Sequence, residues 1–398
     1  MDETLIIERL GPIKKLEIKP RRLTIIIGEQ ASGKSLVAQI LYFFRELKAH
    51  LARIYNPELI SGPDWHNHAI RQILDSLRGV PFGHFANGVA TLRYTRLIPH
   101  IDWILEIDGE SLSAKVPENL IDRMDKWVQN WQRDPSTLGR AQKPRDIFIP
   151  TERGLIPMLV NTQPGVLYDP NRPMPLREFA LILNDVLRMR RERGFVPGWT
   201  QDTVDAWRKT YAESFVLQCQ RNALGGEAIF VQTQPEKWVW KVDSKELPIT
   251  ATSSGQMETW PFFEIAILLE NAKVLEYVYF EEPETHVHPR AQVEIMKVVA
   301  YLVNRGHNFV ITTHSPFLLQ VVDNMLQRFM KNKGQIREGE ERWLNPEKVA
   351  AYCLRRDSDQ SPEDIMDREN TRLLDITELE KVSNELGAEF DELLYGTE

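Results

Sequence analysis

An α/β fold with a largely parallel sheet is the architecture this sequence predicts. The first observation is the order "KVLEYVYF", "PRAQVEIMKVVAYLVNRG", "HNFVITT", which reads strand, helix, strand. The second is "LTIII" (23–27), followed by the glycine-rich "GEQASGKS" and then by "LVAQILYFFRELKAHLARIY" with apolar residues at helical spacing. The third is bulk: a 398-residue chain that is 42% apolar can bury a sizeable core.

Along the chain, residues 4–27 alternate and then run apolar, punctuated by Gly11-Pro12 and Pro20, which predicts two or three short strands. Residues 64–78 read as a helix, 89–115 as strands and 119–134 as a helix. "DIFIP" (146–150) is a short buried strand leading into "TERG", and 176–222 are mostly helical. A hairpin is expected at 227–249, then a long helix over 257–272. From Pro346 onward the chain reads as an acidic, mainly helical tail, with a loop at 357–364. The expected division is therefore 1–150 and 227–345 as two parts of one lobe, 151–226 as a helical subdomain, and 346–398 as the tail.

Composition narrows the function. Two cysteines, Cys219 and Cys353, make neither a disulfide framework nor a CxxC metal site, and they suit a reducing cytoplasm. "MDETLIIERLG" is no signal peptide, and no apolar run approaches the roughly 20 residues that span a bilayer. The net charge of −8 is local, because residues 346–398 carry 15 acidic and 6 basic side chains. Within the near-neutral remainder, "RMRRERG" (188–194) is a dense basic cluster, either a solvated helix face or a surface for phosphate or nucleic acid.

"GEQASGKS" carries the clearest chemistry. Gly28, Gly33, Lys34 and Ser35 fit the phosphate-loop pattern G-x4-G-K-S between a strand and a helix. Glycines let backbone N–H groups wrap an anion at a helix N-terminus, Lys34 reaches β- and γ-phosphates, and Ser35 is placed to hold Mg²⁺. Such a site needs a carboxylate at the end of a neighbouring strand. "YVYFEE" supplies Glu281 for the metal and Glu282 to polarise the attacking water. The following "PETHVHP" also allows a zinc hydrolase, with His286 and His288 as ligands, although HxH without a clear third ligand is weak.

The order phosphate loop, "TSSGQ", "YVYFEEPE", "ITTHSP" resembles ABC-type ATPases, and more closely the RecF/SMC-like branch. "EEPETHVHP" and "TTHSPFLL" are similar to the ATPase domains of OLD-family nucleases and to stand-alone anti-phage defence ATPases. The resemblance spans roughly residues 1–345. It implies a P-loop NTPase fold, an ABC head with a helical subdomain inserted between phosphate loop and signature, and ATP with Mg²⁺ as ligands. Gln30 falls within the phosphate loop and is counted with the nucleotide-binding residues. Ser253, Gly255 and Gln256 take the signature position and would face the γ-phosphate of an opposite subunit. His314 matches the switch histidine, and His288 stands where the family has an interface aspartate. Glu152 and Arg153, in "IFIPTERG", occupy the place of the glutamine loop.

The resemblance further implies a cytoplasmic homodimer or higher homo-oligomer. No sustained heptad pattern predicts a coiled-coil arm. Only 84 residues follow His314, too few for the usual fused nuclease, and Asp357-x-Asp359 lies in a proline-containing acidic loop rather than after a strand. Two readings of ATP turnover stay open. One couples it to a separate effector, a nuclease or toxin, in a defence system; the other makes the protein an ATP-gated DNA clamp of the RecF-like repair type.

Overall fold

The computed structural model describes residues 3–58, 60, 62–142, 145–159, 169, 171–191, 214–231, 237–270, 272, 277–336, 342–356, 362, 364–375 and 377–395. In chain order the first half holds β1 (Glu3–Leu10), β2 (Ile13–Ile18), β3 (Leu23–Gly28), α1 (Lys34–Ile54), α2 (Trp65–Arg78), β4 (Ala86–Arg96), β5 (Ile101–Asp108), β6 (Ser113–Lys115), α3 (Glu118–Arg133), α4 (Pro135–Ala141), β7 (Ile147–Ile149), α5 (Leu155–Leu159) and α6 (Met174–Arg191). The second half holds α7 (Phe215–Leu224), β8 (Glu227–Val231), β9 (Lys237–Val242), β10 (Lys245–Pro248), α8 (Ser254–Glu270), β11 (Tyr277–Glu281), α9 (Pro289–Asn304), β12 (Asn308–Thr313), α10 (Pro316–Lys331), β13 (Val349–Leu354) and α11 (Thr377–Tyr395).

The central sheet has the order β13-β3-β12-β11-β7, and all its pairings are parallel. Its strands are rich in Ile, Val and Thr because both faces are covered, which removes the polar alternation of a half-exposed strand. All six positions of β3 and of β12 are buried. The pleat sends alternate residues to opposite layers. Leu23, Ile25 and Ile27 pack with α8, α9 and α10. Ile26, with Phe148, Tyr279 and Val310, packs toward α1 and the antiparallel sheet β2-β1-β4-β5-β6. Helix α1 therefore lies between two sheets, and 16 of its 21 residues are buried.

One buried arginine joins these layers. Arg45 of α1 makes a bidentate pair with Glu3 of β1, both bonds at 2.8 Å, and donates to the Tyr279 hydroxyl of β11 at 2.9 Å. Its guanidinium also lies 3.8 Å from the Tyr277 ring centroid. The Arg45 and Glu3 side chains are only 3% and 1% exposed, so neither charge has water as an alternative partner.

Three local outcomes differ from the sequence expectations. Helix α8 begins at Ser254 rather than 257, because Ser253 and Gln256 cap each other's backbone N–H. The expected hairpin is a three-stranded sheet, β10-β9-β8. The tail from 346 is not mainly helical at its start. Val349–Leu354 pairs in parallel with β3 at the edge of the central sheet. "VAAYCL" is short and bounded by charges, so its strand character appears only once β3 offers a buried edge. Asp364 then accepts from the N–H groups of Ala351 and Met366, and Arg368 donates to the Val349 carbonyl, which folds the chain back over that edge.

Arg45→Met should lower stability by about 3–5 kcal/mol in urea unfolding, because Glu3 is left as an uncompensated buried charge. A double variant, Glu3→Leu with Arg45→Met, should recover most of that loss. Equal losses in the single and double variants would contradict the interlayer role.

Candidate nucleotide site

The parallel register brings the functional segments together. Glu281 lies beside Thr312, Thr312 beside Ile26, and Thr313 beside Ile27, so β11, β12 and β3 end at one level. The segments that follow are Glu282–Pro289, His314-Ser315 and Gly28–Gly33. Ligands of open α/β sheets sit at this carboxyl edge.

The phosphate loop needs its glycines. A Cβ on Gly28 would fall 2.0 Å from the Leu354 carbonyl oxygen of β13, and Gly33 caps α1 at φ 96. Lys34 is 5% exposed, and its ammonium donates to the carbonyls of Gly28 at 3.0 Å and Glu29 at 2.6 Å. Burial pulls its pKa down, partly offset by Glu282 and Glu284. Gln30 is exposed on the loop, without a hydrogen bond to a described residue.

Lys34 also reaches across the strand ends. Its Nζ lies 3.4 Å from His314 Nδ1. A lysine ammonium only donates, so Nδ1 accepts and the imidazole proton sits on Nε2. Nε2 lies 3.5 Å from Glu282 Oε1, and Glu282 Oε2 accepts from the Thr285 hydroxyl at 3.3 Å. Lysine, histidine and glutamate from three strand ends thus form one polar chain. The His314 and Glu282 side chains are 35% and 30% exposed, accessible from solvent.

The backbone at Glu282 has φ 42, costly for a residue with a Cβ. Two bonds hold it there. Its N–H donates to the Thr312 carbonyl at 2.8 Å, and its carbonyl accepts from Arg153 at 2.8 Å. Arg153 is fully buried and donates further to the carbonyls of Glu281 at 2.8 Å, Glu258 at 2.9 Å and Pro150 at 3.0 Å. Sequence reasoning put Arg153 among the nucleotide-contacting residues. The structure instead spends its guanidinium on backbone carbonyls, where it fixes the carboxylate turn. Glu152 beside it is exposed, hydrogen-bonded to Thr151 at 3.1 Å, and its charge is felt at Glu281.

Glu281 is 3% exposed and accepts hydrogen bonds from Ser35 and the Thr151 N–H, while its Oε1 has no partner. Burial raises its pKa to about 7. A buried carboxylate with an orphaned oxygen, against the serine that follows the loop lysine, fits a hard divalent cation such as Mg²⁺. Ser35 and Glu281 are the residues that would hold it.

Ser253 and Gln256 bond to each other, at 2.9 Å and 3.3 Å, and Gln256 donates to the Leu224 carbonyl at 2.8 Å. These bonds do not lead to the phosphate loop of the same chain. Gly255 is held against the turn after β11: a Cβ there would meet the His286 carbonyl oxygen at 2.4 Å. The start of α8 is exposed at Ser253 and Ser254. The positive end of the helix therefore lies at the surface.

The two histidines do not converge. His286 Nδ1 is 2.8 Å from Glu258 Oε1, whereas His288 caps α9, its Nδ1 accepting from the Arg290 N–H at 3.2 Å with Pro289 in the first turn. Among the described residues no group of three or more His, Cys, Asp or Glu is arranged to hold a metal. Glu284 is a residue that sequence reasoning missed. Its Oε1 accepts from the Thr313 hydroxyl at 2.8 Å and the His314 N–H at 2.6 Å, tying the turn after β11 to the end of β12. The third carboxylate of "EEPE" was the available signal. In "RMRRERG", Arg188 pairs with Asp185, and Arg190 pairs with Glu264 and donates to the Ala228 carbonyl. Residues 192–194, and Asp357 with Asp359, lie outside the described residues.

The fold is that of a P-loop NTPase. The AAA ATPase domain family matches residues 200–319, a span that holds Ser253–Gln256, Glu281–Glu284 and His314 but not the phosphate loop. No curated protein matches the chain. Three solved structures are similar in outline. An SmcHead bound to the C-winged helix domain of ScpA has TM-score 0.48 at 11% identity, covering 89% of this chain and 94% of that one. An Smc head with an extended coiled coil, bound to the C-terminal domain of ScpA derived from Pyrococcus furiosus, has TM-score 0.42 at 11% identity, covering 96% and 98%. The SMC head domain from Thermotoga maritima has TM-score 0.40 at 10% identity, covering 92% and 99%.

Between the ordinary carboxylate range and pH 7, folded Glu281 keeps a proton that the unfolded chain has lost. Stability of the metal-free protein should therefore fall as pH rises through that window. Glu281→Gln should remove up to about 3 kcal/mol of this dependence, read as the difference between the two proteins' unfolding curves at pH 5 and 7.5. Parallel curves would contradict the buried, orphaned carboxylate.

Proposed function

We propose that the protein is a Mg²⁺-dependent ATPase of the ABC type. The Lys34–His314–Glu282 chain at the ends of three adjacent parallel strands is the observation that carries this reading. Loop N–H groups and the α1 N-terminus would cradle the phosphates. Lys34 would exchange the Gly28 and Glu29 carbonyls for phosphate oxygens. Glu282, held at φ 42, would orient water in line with the γ-phosphorus and draw its proton, while the β–γ bridging bond breaks. His314 would sense the γ-phosphate from beside Lys34. When bound between Ser35 and Glu281, Mg²⁺ neutralises charge on the phosphate oxygens.

The exposed start of α8 supports closure of two copies around ATP, because the Ser253–Gln256 capping pair leaves the Ser254 and Gly255 N–H groups available at a surface-exposed helix N-terminus. The similarity of "EEPETHVHP" and "TTHSPFLL" to the OLD-like branch supports coupling of turnover to a separate nuclease or toxin, as in anti-phage defence. The DNA-clamp reading rests on "RMRRERG", where Arg190 is engaged within the fold by Glu264 and the Ala228 carbonyl, while Arg188 makes an exposed pair with Asp185. Among the described residues no helix is long and apolar enough to cross a membrane.

Lys34→Ala should abolish phosphate release from ATP and weaken nucleotide binding, while circular dichroism stays unchanged. Turnover at the parent rate would remove the phosphate-loop assignment. Glu282→Gln keeps the side chain's shape but loses its charge. It should bind ATP, lose roughly 100-fold or more in turnover, and accumulate an ATP-dependent dimer in light scattering. Normal turnover would exclude Glu282 as the water-polarising group.

A further inference from the structure

Two surfaces outside the nucleotide site are complementary. The first is α11, which carries six acidic residues against one lysine. Residues 384–395 are exposed throughout, including an apolar stripe at i, i+4, i+7 and i+8. Leu386 and Phe390 are each 61% exposed, Leu393 81% and Leu394 56%. A lone acidic helix with such a stripe gains little from folding until another surface covers it. Pairing two such helices would set their carboxylates against each other.

The second surface is a cleft of about 660 Å³ between α1, the β4–β5 sheet, α3 and α4. Lys48, Arg96, Arg123, Arg140 and Arg145 line it, and Trp127, Ile101 and Pro99 supply apolar wall. Lys48, Arg96 and Arg145 form no ion pair with a described residue, and Arg123 lies over the Trp103 ring at 5.8 Å. Glu46 is the acidic lining residue, and its carboxylate is engaged by the N–H groups of Arg145 and Asp146. Arg96 and Ile101 also line a second cleft of about 760 Å³ of mixed charge, where Arg21 is paired with Glu347 and Asp102 and Glu3 join the lining, so the unpaired cations are concentrated in the first cleft.

We propose that the acidic helix α11 of one copy docks into the basic, tryptophan-walled cleft of a second copy. A nucleic acid would satisfy the cations but leave the apolar wall without a partner. This helix supplies carboxylates and an apolar stripe together. Docking occurs in trans. Leu374, just before the helix, is fixed by its N–H to Asp323 at 2.8 Å and packs in the α8–α10 layer. Phe44, Leu47 and Trp103 of the cleft belong to the layer on the other face of the central sheet. A 19-residue helix is a rod of roughly 28 Å and cannot bend round that sheet. Reciprocal docking closes a two-fold pair. It needs no nucleotide, so it goes beyond the ATP-dependent closure proposed above.

Sedimentation velocity of the nucleotide-free full chain tests it. Association should appear at low salt and weaken as salt screens the charges. A helix variant (Glu385→Lys, Glu389→Lys, Glu392→Lys) and a cleft variant (Arg123→Glu, Arg145→Glu) should each associate roughly tenfold or more weakly. Mixing the two should restore association, because reversed helix meets reversed cleft; misfolding cannot produce that rescue. Gly387→Ala should tighten association, since its Cβ meets nothing and the helix gains propensity. The proposal is overturned if the parent chain stays monomeric at low salt or the mixture fails to associate. It is equally overturned if the cleft variant loses only binding of a 30-nucleotide DNA probe, which would assign the cleft to nucleic acid.

Discussion

Everything at the nucleotide site depends on the parallel register of three strands. Because β3, β12 and β11 end level, Lys34 lies in one polar chain with Glu282 and His314, both more than 240 residues further along the sequence. A slip of one residue would turn every side chain on the slipped strand to the other face. The alternation that sends Ile25 and Ile26 to different cores guards against this slip. Arg153 then fixes what register alone leaves loose, the direction of the chain after Glu281. Its bonds to the Glu281 and Glu282 carbonyls, anchored by two more to Glu258 and Pro150, hold the left-handed backbone at Glu282 in place.

The polar chain also explains how a site built for an anion stays folded without one. Lys34 is buried, and an unpartnered buried ammonium would be costly. The loop's own carbonyls at Gly28 and Glu29 serve as partners, and His314 accepts a third contact. On the metal side, burial raises the Glu281 pKa to about 7, so the carboxyl keeps a proton below that pH instead of a charge. Phosphate and a divalent cation would replace these substitute arrangements with stronger ones.

Much of this was legible in the sequence, for reasons that can be named. Glycines at 28 and 33 before Lys34 have few uses other than a tight loop at a helix start, and an apolar strand ending in Glu281-Glu282 places carboxylates at a sheet edge. Pro289 marked the start of α9, which makes His288 its cap. Other features had no sequence signal. Arg153 is spent on backbone carbonyls, which every residue type possesses. His286 meets Glu258, 28 positions away, without any spacing rule to announce it. The strand β13 depends on the free edge of β3, a tertiary condition that six residues of "VAAYCL" do not encode locally.

The central claim is that one complete site needs two copies: a phosphate loop from one and the start of α8 from the other. The direct measurement mixes two inactive proteins. Lys34→Ala removes the loop charge, and Ser254→Arg blocks the exposed helix start while leaving the Ser253–Gln256 capping pair in place. A mixed pair holds one site with both defects and one with neither. With subunit exchange verified by labelled chains, the account predicts recovery of ATP hydrolysis, or at least of ATP-dependent association, on mixing. Persistent inactivity together with no ATP-dependent association in the mixture would contradict it.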